Sequence, residues 1–189
     1  MDPRSILFID GENLTMRYQE MVAAGRKPRD AVVHKQDTYV WHGKLTYEPY
    51  AGLPNLVRVH YYTSVVGDSD LVEATQCEMA AITFASHGSD RHHVGQLVPL
   101  VFKKDKKSKK TRNVDLQIIV DVMRYAFTDA IDRIYLATGD GDFIPLISEV
   151  MRRGKQVEVL AFSSGLSPLL RSRVDRLHTV DDIFFKDGV

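Results

Sequence analysis

The chain has 189 residues, with 25 basic and 25 acidic side chains, 44% hydrophobic content and one cysteine. This is enough for one domain with a hydrophobic core, and it excludes a disordered, collagen-like or coiled-coil protein. A single cysteine allows neither an intrachain disulfide nor a cysteine-built zinc site, and zero net charge argues at first sight against a polyanionic partner. The apolar run at 5–9 is too short for a secretory signal, and no stretch approaches the ~18 apolar residues of a membrane span. The expectation is a cytoplasmic protein with no membrane partner and with Cys77 reduced and buried.

In chain order, 5–9 reads as a buried strand and 14–24 as a helix stopped near Gly25. Residues 25–56 show little periodicity and carry Pro28, Pro49 and Pro54. They read as an insertion or lid rich in aromatics (Tyr39, Trp41, Tyr47, Tyr50). A strand is expected at 56–64, a helix at 69–84, a polar loop at 87–96 and a strand at 97–102. A basic loop at 103–113 precedes a strongly periodic helix at 114–127. Then follow a strand at 133–137, a helix at 143–153 stopped by Gly154, a strand at 156–162, a helix at 168–177 and a last strand at 180–185. Such alternation predicts an α/β fold: one domain over 1–189, a central parallel sheet with helices on both faces, and the insertion at about 25–56. Ligands of such sheets sit beyond the carboxyl ends of the strands.

Those positions are acidic. Asp10-Gly11-Glu12-Asn13 follows the first strand, Thr138-Gly139-Asp140-Gly141-Asp142 follows the strand at 133–137, and Asp115 opens the helix after the basic loop. Converging carboxylates repel unless a cation neutralises them, and oxygen donors suit Mg2+ or Mn2+. Each residue also has a plainer role. Asp115 could meet a helix dipole, Asp142 could cap the next helix, and Gly139-Asp140-Gly141 could be a turn. Asp10, ending a buried strand, is costly without a partner. Taken together, Asp10, Asp115, Asp140 and Asp142 read as a metal site. Glu12 ranks below them as a ligand or cap. Asn13 either orients Asp10 or substrate, or caps the first helix. Asp121, six residues after Asp115, falls off that residue's helix face and reads as structural.

These motifs resemble a known family. Phe8-Ile9-Asp10-Gly11-Glu12-Asn13-Leu14 is similar to the opening motif of NYN domains, in the LabA-like branch of the PIN-like ribonucleases. Arg112-Asn113-Val114-Asp115, with Asp121, resembles the family's second motif. Thr138 to Phe143, with Pro145-Leu146 and Gly154 to Val157, resembles the third, and Ser167, Leu170 and Asp175 resemble its C-terminal helix pattern. The resemblance implies a Rossmann-like PIN-type fold and a metal-dependent endonuclease, usually of RNA. The four aspartates would be catalytic and metal-binding, with Asn13 and Thr138 near the phosphate. Arg112 stands where Lys is expected, which keeps the charge and offers a bidentate phosphate contact.

Residues 103–112 hold seven basic side chains and one acid, a local charge of +6, which leaves −6 elsewhere. A solvated loop is the plain reading, but its position beside Asp115 favours phosphate contact by Lys109, Lys110 and Arg112. The insertion's aromatics read as lid or interface packing rather than base stacking. His92-His93 has no partners at ligand spacing, and Ser163-Ser164-Gly165 lacks a nucleophile elbow. The expected function is a Mg2+- or Mn2+-dependent endoribonuclease acting on RNA, single-stranded or structured, with a homo-oligomer left open. The alternative is an inactive nucleic-acid-binding or regulatory module. A haloacid-dehalogenase-type phosphohydrolase is disfavoured because the residue two after Asp10 is Glu12 rather than aspartate.

Overall fold

Every residue from Ser5 to Asp10 is buried, which a strand achieves only when both faces of its sheet are covered. The computed structural model describes residues 3–47, 53, 55–87, 92–104 and 112–186, with only the backbone at Tyr47, His87, His92, His93 and Arg112. In chain order the elements are β1 (Ser5–Asp10), α1 (Gly11–Ala23), β2 (Val33–Lys35), β3 (Tyr39–Trp41), α2 (Lys44–Tyr47), β4 (Leu56–Val65), α3 (Ser69–Ala80), β5 (Thr83–His87), β6 (His92–Gln96), β7 (Val98–Lys103), α4 (Arg112–Ala126), β8 (Arg133–Ala137), α5 (Ile144–Arg152), β9 (Gln156–Ala161), β10 (Arg176–Thr179) and α6 (Asp181–Phe184). Single 3-10 turns occur at Gly141–Phe143 and Leu170–Ser172.

Six strands form one sheet in the order β10-β9-β8-β1-β4-β7, and every pairing in it is parallel. Side chains alternate between two cores, as the pleat requires. Leu7 and Ile9 of β1, with Tyr135 and Ala137 of β8, enter one core with Leu14, Tyr18 and Met21 of α1. Ile6 and Phe8, with Ile134 and Leu136, enter the other with Val114 and Ile118 of α4 and Ile147 and Val150 of α5. The parallel sheet with helices on both faces agrees with the expected fold class. From β1 the chain steps outward through β4 to β7, then returns to β8 on the other flank of β1. The helices that follow β1 and β8 pack into opposite cores. The crevice outside the ends of β1 and β8 is therefore the topological switch point.

Local chemistry sets the helix limits. Asp10 caps α1 by accepting the N–H of Asn13, so the helix starts at Gly11 and Asn13 is not its cap. It ends in a Schellman motif, with Arg26 N–H bonded to the Met21 carbonyl and Gly25 N–H to that of Val22. Gly25 takes φ +93°, where a side chain would be strained.

Five sequence expectations are corrected. The helix expected at 69–84 ends at Ala80, and 83–87 pairs antiparallel with 92–96, where a polar loop was expected. Phe84, which continued the helical period on paper, is buried as a strand residue. At 168–177 the helix reduces to the turn Leu170–Ser172, because Asp175 accepts the Val157 N–H and draws the chain into register with β9 as β10. The strand expected at 180–185 is instead helix α6. Its Asp181 accepts the N–H and hydroxyl of Ser163, while Phe184 and Phe185 pack on Tyr18 and Phe162. Cys77, expected to be buried, is exposed on α3.

Within 25–56 the described residues form a short hairpin, β2 and β3, followed by α2. Tyr39 and Trp41 are buried, so they anchor the hairpin, in keeping with the packing reading. The Tyr61 hydroxyl accepts the Val40 N–H and donates to its carbonyl, which pins the hairpin to β4. The Tyr39 phenol donates to Glu78, and burial, with that partner, pushes its pKa up to about 12. Tyr50 lies outside the described residues.

Candidate active site at the switch point

Asp10 ends β1 with no solvent exposure. One carboxylate oxygen accepts the Asn13 N–H at 3.1 Å, and the other accepts the Thr138 hydroxyl at 2.9 Å. Thr138, at the end of β8, also accepts the Asp140 N–H at 3.2 Å. Asn13 Oδ1 accepts the Gly139 N–H at 3.0 Å. Asp140 Oδ1 in turn accepts the Asp142 N–H at 2.9 Å and caps the Gly141–Phe143 turn. The ends of two neighbouring strands, distant in sequence, are thus tied into one hydrogen-bonded chain.

The glycines are needed for this closeness. A Cβ on Gly11 would collide with the Tyr61 ring and the Tyr62 carbonyl. One on Gly141 would stand 2.7 Å from Ser167 Oγ. The Ser167 N–H also donates to the Gly139 carbonyl at 2.9 Å, which brings the loop after β9 against the loop after β8.

Above this floor opens a cavity of about 760 Å3. Its acidic lining comes from Glu12, Asp37 and Asp140, and its cations are Arg17, Lys35 and Lys104. Glu12 Oε1 accepts the Lys104 ammonium at 3.2 Å and also the Ser64 hydroxyl at the end of β4. Both partners of this ion pair are mostly buried, so the pair is screened less than a surface bridge. The Arg17 guanidinium lies against Gly165, which holds φ +68° and leaves no room for a Cβ there. Arg17 Nη1 donates to Glu20, while its Nε is buried without a hydrogen-bond partner.

The expected site residues divide. Asp10, Asn13, Thr138 and Asp140 come together in the chain of bonds described above. Asp142 is adjacent but exposed on the 3-10 turn. Asp115 is part-buried in the first turn of α4 and is not among the residues lining the cavity. Arg112 begins α4, and Lys109 and Lys110 lie outside the described residues. The cavity's donors are oxygens, with neither histidine nor cysteine in its lining. Among the described residues, no three acids, imidazoles or thiols stand close enough to form a ready-made metal cage. Such a set fits a hard divalent cation, which is held by one or two carboxylates with water and substrate phosphate, and does not fit zinc.

The NYN domain family matches residues 4–181, a span that takes in β1, α4, β8 and every residue of this site that the structure describes. The chain belongs to the NYN domain family. An NYN domain is a PIN-like nuclease superfamily member, and that superfamily generally uses divalent metals. An uncharacterized protein of Methanocaldococcus jannaschii is 26% identical over 135 residues, which is 71% of this chain and 55% of that protein. The chain thus spans about half the length of the curated relative it matches. A crystal structure of a protein of unknown function from Vibrio parahaemolyticus has a TM-score of 0.53 at 18% identity, covering 97% of this chain and 96% of that one. At that identity the likeness concerns the fold.

Glu12, placed below the four aspartates by sequence, lines the cavity, as do Arg17, Ser64 and Lys104, which the sequence did not single out. Glu12 lies inside the NYN opening motif, and Lys104 is the first residue after β7, so position relative to strand ends was the available signal. Arg17 carried none, because it falls between the buried positions Leu14, Tyr18 and Met21 of α1.

No described helix is long and apolar enough to cross a membrane.

Proposed function

We propose that this NYN domain is a metal-dependent endonuclease that hydrolyses phosphodiester bonds of single-stranded RNA. The observation that carries the reading is the joining of Asp10 and Asp140 across the switch point, beside Glu12, under a cavity that also presents Arg17 and Lys104. Acids alone repel a phosphate, and cations alone bind it without activating water; this cavity has both.

Asp10 and Asp140 would hold Mg2+ or Mn2+, with water and substrate phosphate completing its coordination, and Asp115 and Asp142 would act from the neighbouring helix and turn through water. The ion would supply positive charge at the phosphate and a more acidic water. Thr138 and Asn13 keep Asp10 and the 139–140 backbone in place. Glu12, at the cavity edge, accepts the proton of the attacking water once Lys104 turns from it toward a phosphate oxygen. Arg17 and Lys104, with Lys109, Lys110 and Arg112 from the basic segment, hold the strand's phosphates. A binding module without cleavage is the competing reading, and one observation favours it: both Asp10 oxygens already accept protein donors.

The test is incubation of pooled single-stranded RNA and DNA with the protein, with Mn2+ or Mg2+ and with EDTA. RNA cleavage that requires metal and is lost in Asp140→Asn supports the nuclease reading. Binding without cleavage under every condition supports the module.

A further inference from the structure

The cavity's lining is of two chemical kinds. Its polar side chains include Glu12, Ser64, Lys104, Asp140 and Ser167 from strand ends and their loops. Its apolar ones include Met16 from α1, Val66 from the segment after β4 and Leu71 from α3. These three are exposed by 44%, 45% and 39%, among the large hydrophobic side chains that the described residues leave in water. They come from three separate segments yet line one cavity. A single exposed apolar side chain needs no explanation, but three lining a cavity that also carries ionic groups mark a place for an apolar surface of a ligand.

The hairpin turn Gln36-Asp37-Thr38 closes the side of the cavity. Thr38 is held by the Thr63 hydroxyl on its carbonyl, and Lys35 by Glu78 of α3. Met16 follows Asp10 by six residues, on the helix that Asp10 caps. Met16 and the acid Glu12 are thus carried by one helix. The volume, about 760 Å3, lies within the range of small-ligand clefts.

We propose, resting on the nuclease reading above, that Met16, Val66 and Leu71 form a nucleobase subsite. It receives one base turned out of the stack of a single-stranded RNA while the adjoining phosphate lies at Asp140 and Lys104. A base is a flat, largely apolar face on a polyanionic chain, and this pairing matches the cavity's two kinds of lining. Every base has such a face, so the subsite binds with little sequence preference. A base paired within a duplex cannot reach the alcove without unpairing, so the subsite selects single strands. Met16 and Leu71 are therefore specificity residues for strandedness, separate from the acids.

Equilibrium binding by fluorescence anisotropy, in EDTA to prevent cleavage, tests this. The probes are a labelled single-stranded RNA, the same strand carrying abasic nucleotides throughout its central segment, the matching duplex, and a free nucleoside monophosphate as competitor. The expected result is an intact strand bound at least about fivefold more tightly than the abasic strand. Met16→Ser and Leu71→Ser, both at exposed positions, should reduce that ratio to below about twofold, with unchanged circular dichroism, while weakening the abasic strand little. Equal binding of intact and abasic strands by the wild type overturns the subsite and leaves the nuclease reading standing. An unchanged ratio in both variants places the base elsewhere and also overturns it. A nucleoside monophosphate bound more tightly than the strand assigns the alcove to a free nucleotide and overturns it. Failure to bind any nucleic acid, together with failure to cleave in the metal assay, removes both readings.

Discussion

Asp10 and Asp121 are both buried carboxylates that accept a hydroxyl, yet their surroundings are opposite. Asp121, midway along α4, receives Tyr62 Oη, Gln117 Nε2 and Arg124 Nη1, each at 3.0 Å. Beside it Phe8, His60, Tyr62 and Tyr125 pack ring against ring. Burial, reinforced by Asp121, pushes the Tyr62 phenol far above its ordinary pKa, so it stays a donor. This network closes on itself beneath a helix. Asp10 instead accepts the Asn13 N–H from the first turn of α1 and the Thr138 hydroxyl from the start of the loop after β8, whose next residues line the cavity. Burial and hydrogen bonding are common to both and mark neither as a working acid. Position separates them: Asp10 ends a strand at the switch point, tied through Thr138 to Asp140, which lines the cavity together with Arg17 and Lys104.

The largest separation between the two should come from Asp10→Asn. It keeps the shape and removes the charge, and it should lower metal-dependent cleavage by about 10²–10⁴-fold, measured as kcat/KM on a single-stranded RNA. The next effect falls on stability alone. Asp121→Ala leaves Tyr62 without its acceptor and Arg124 without its partner, and should cost about 3 kcal/mol in denaturant unfolding, with cleavage per folded molecule unchanged.

A pH effect of similar size belongs to the closed network. Burial lowers the His60 pKa from 6.5 to about 4, against a smaller upward pull from Asp121. The unfolded state then binds a proton between pH 6.5 and 4 that the folded state refuses. Stability contributed by neutral His60 is complete above pH 6.5 and is lost as pH falls toward 4, on the order of 3 kcal/mol. Urea midpoints of the wild type and His60→Phe, compared at pH 7 and pH 4.5, should show a smaller acid loss in the variant. The smallest effect is expected from Thr138→Val, which removes the hydroxyl between Asp10 and Asp140. It should cost about 1–2 kcal/mol of stability and about 10–100-fold in cleavage, placing Thr138 as a positioning residue rather than a catalytic one.

Much of the site's floor was legible in sequence. Buried parallel strands read as short apolar runs, so β1 and β8 could be located, and the acids directly after them followed from the rule for ligand position. The strand at 133–137 coincides with β8. The cavity's wall was not legible. Strands β2 and β3 have three residues each, too few to show a period, and only their antiparallel pairing reveals a hairpin. Sequence also does not rank acids that share one edge. It placed Glu12 below the four aspartates, while the cavity is lined by Glu12 and Asp140, with Asp10 buried behind, Asp142 exposed on its turn and Asp115 outside the lining. Phe84, Leu177 and Phe184 misled for one reason: an apolar residue in a short segment satisfies either period until its partners are known.

The most direct measurement is cleavage and urea unfolding on the same preparations of wild type, Asp140→Asn and Asp121→Asn, with Mn2+ present. The expected result is a double separation: Asp140→Asn unfolds like the wild type and no longer cleaves, while Asp121→Asn unfolds more easily and cleaves at the wild-type rate when folded. Cleavage retained in Asp140→Asn, or lost in fully folded Asp121→Asn, would contradict the assignment of the switch-point acids as the working site.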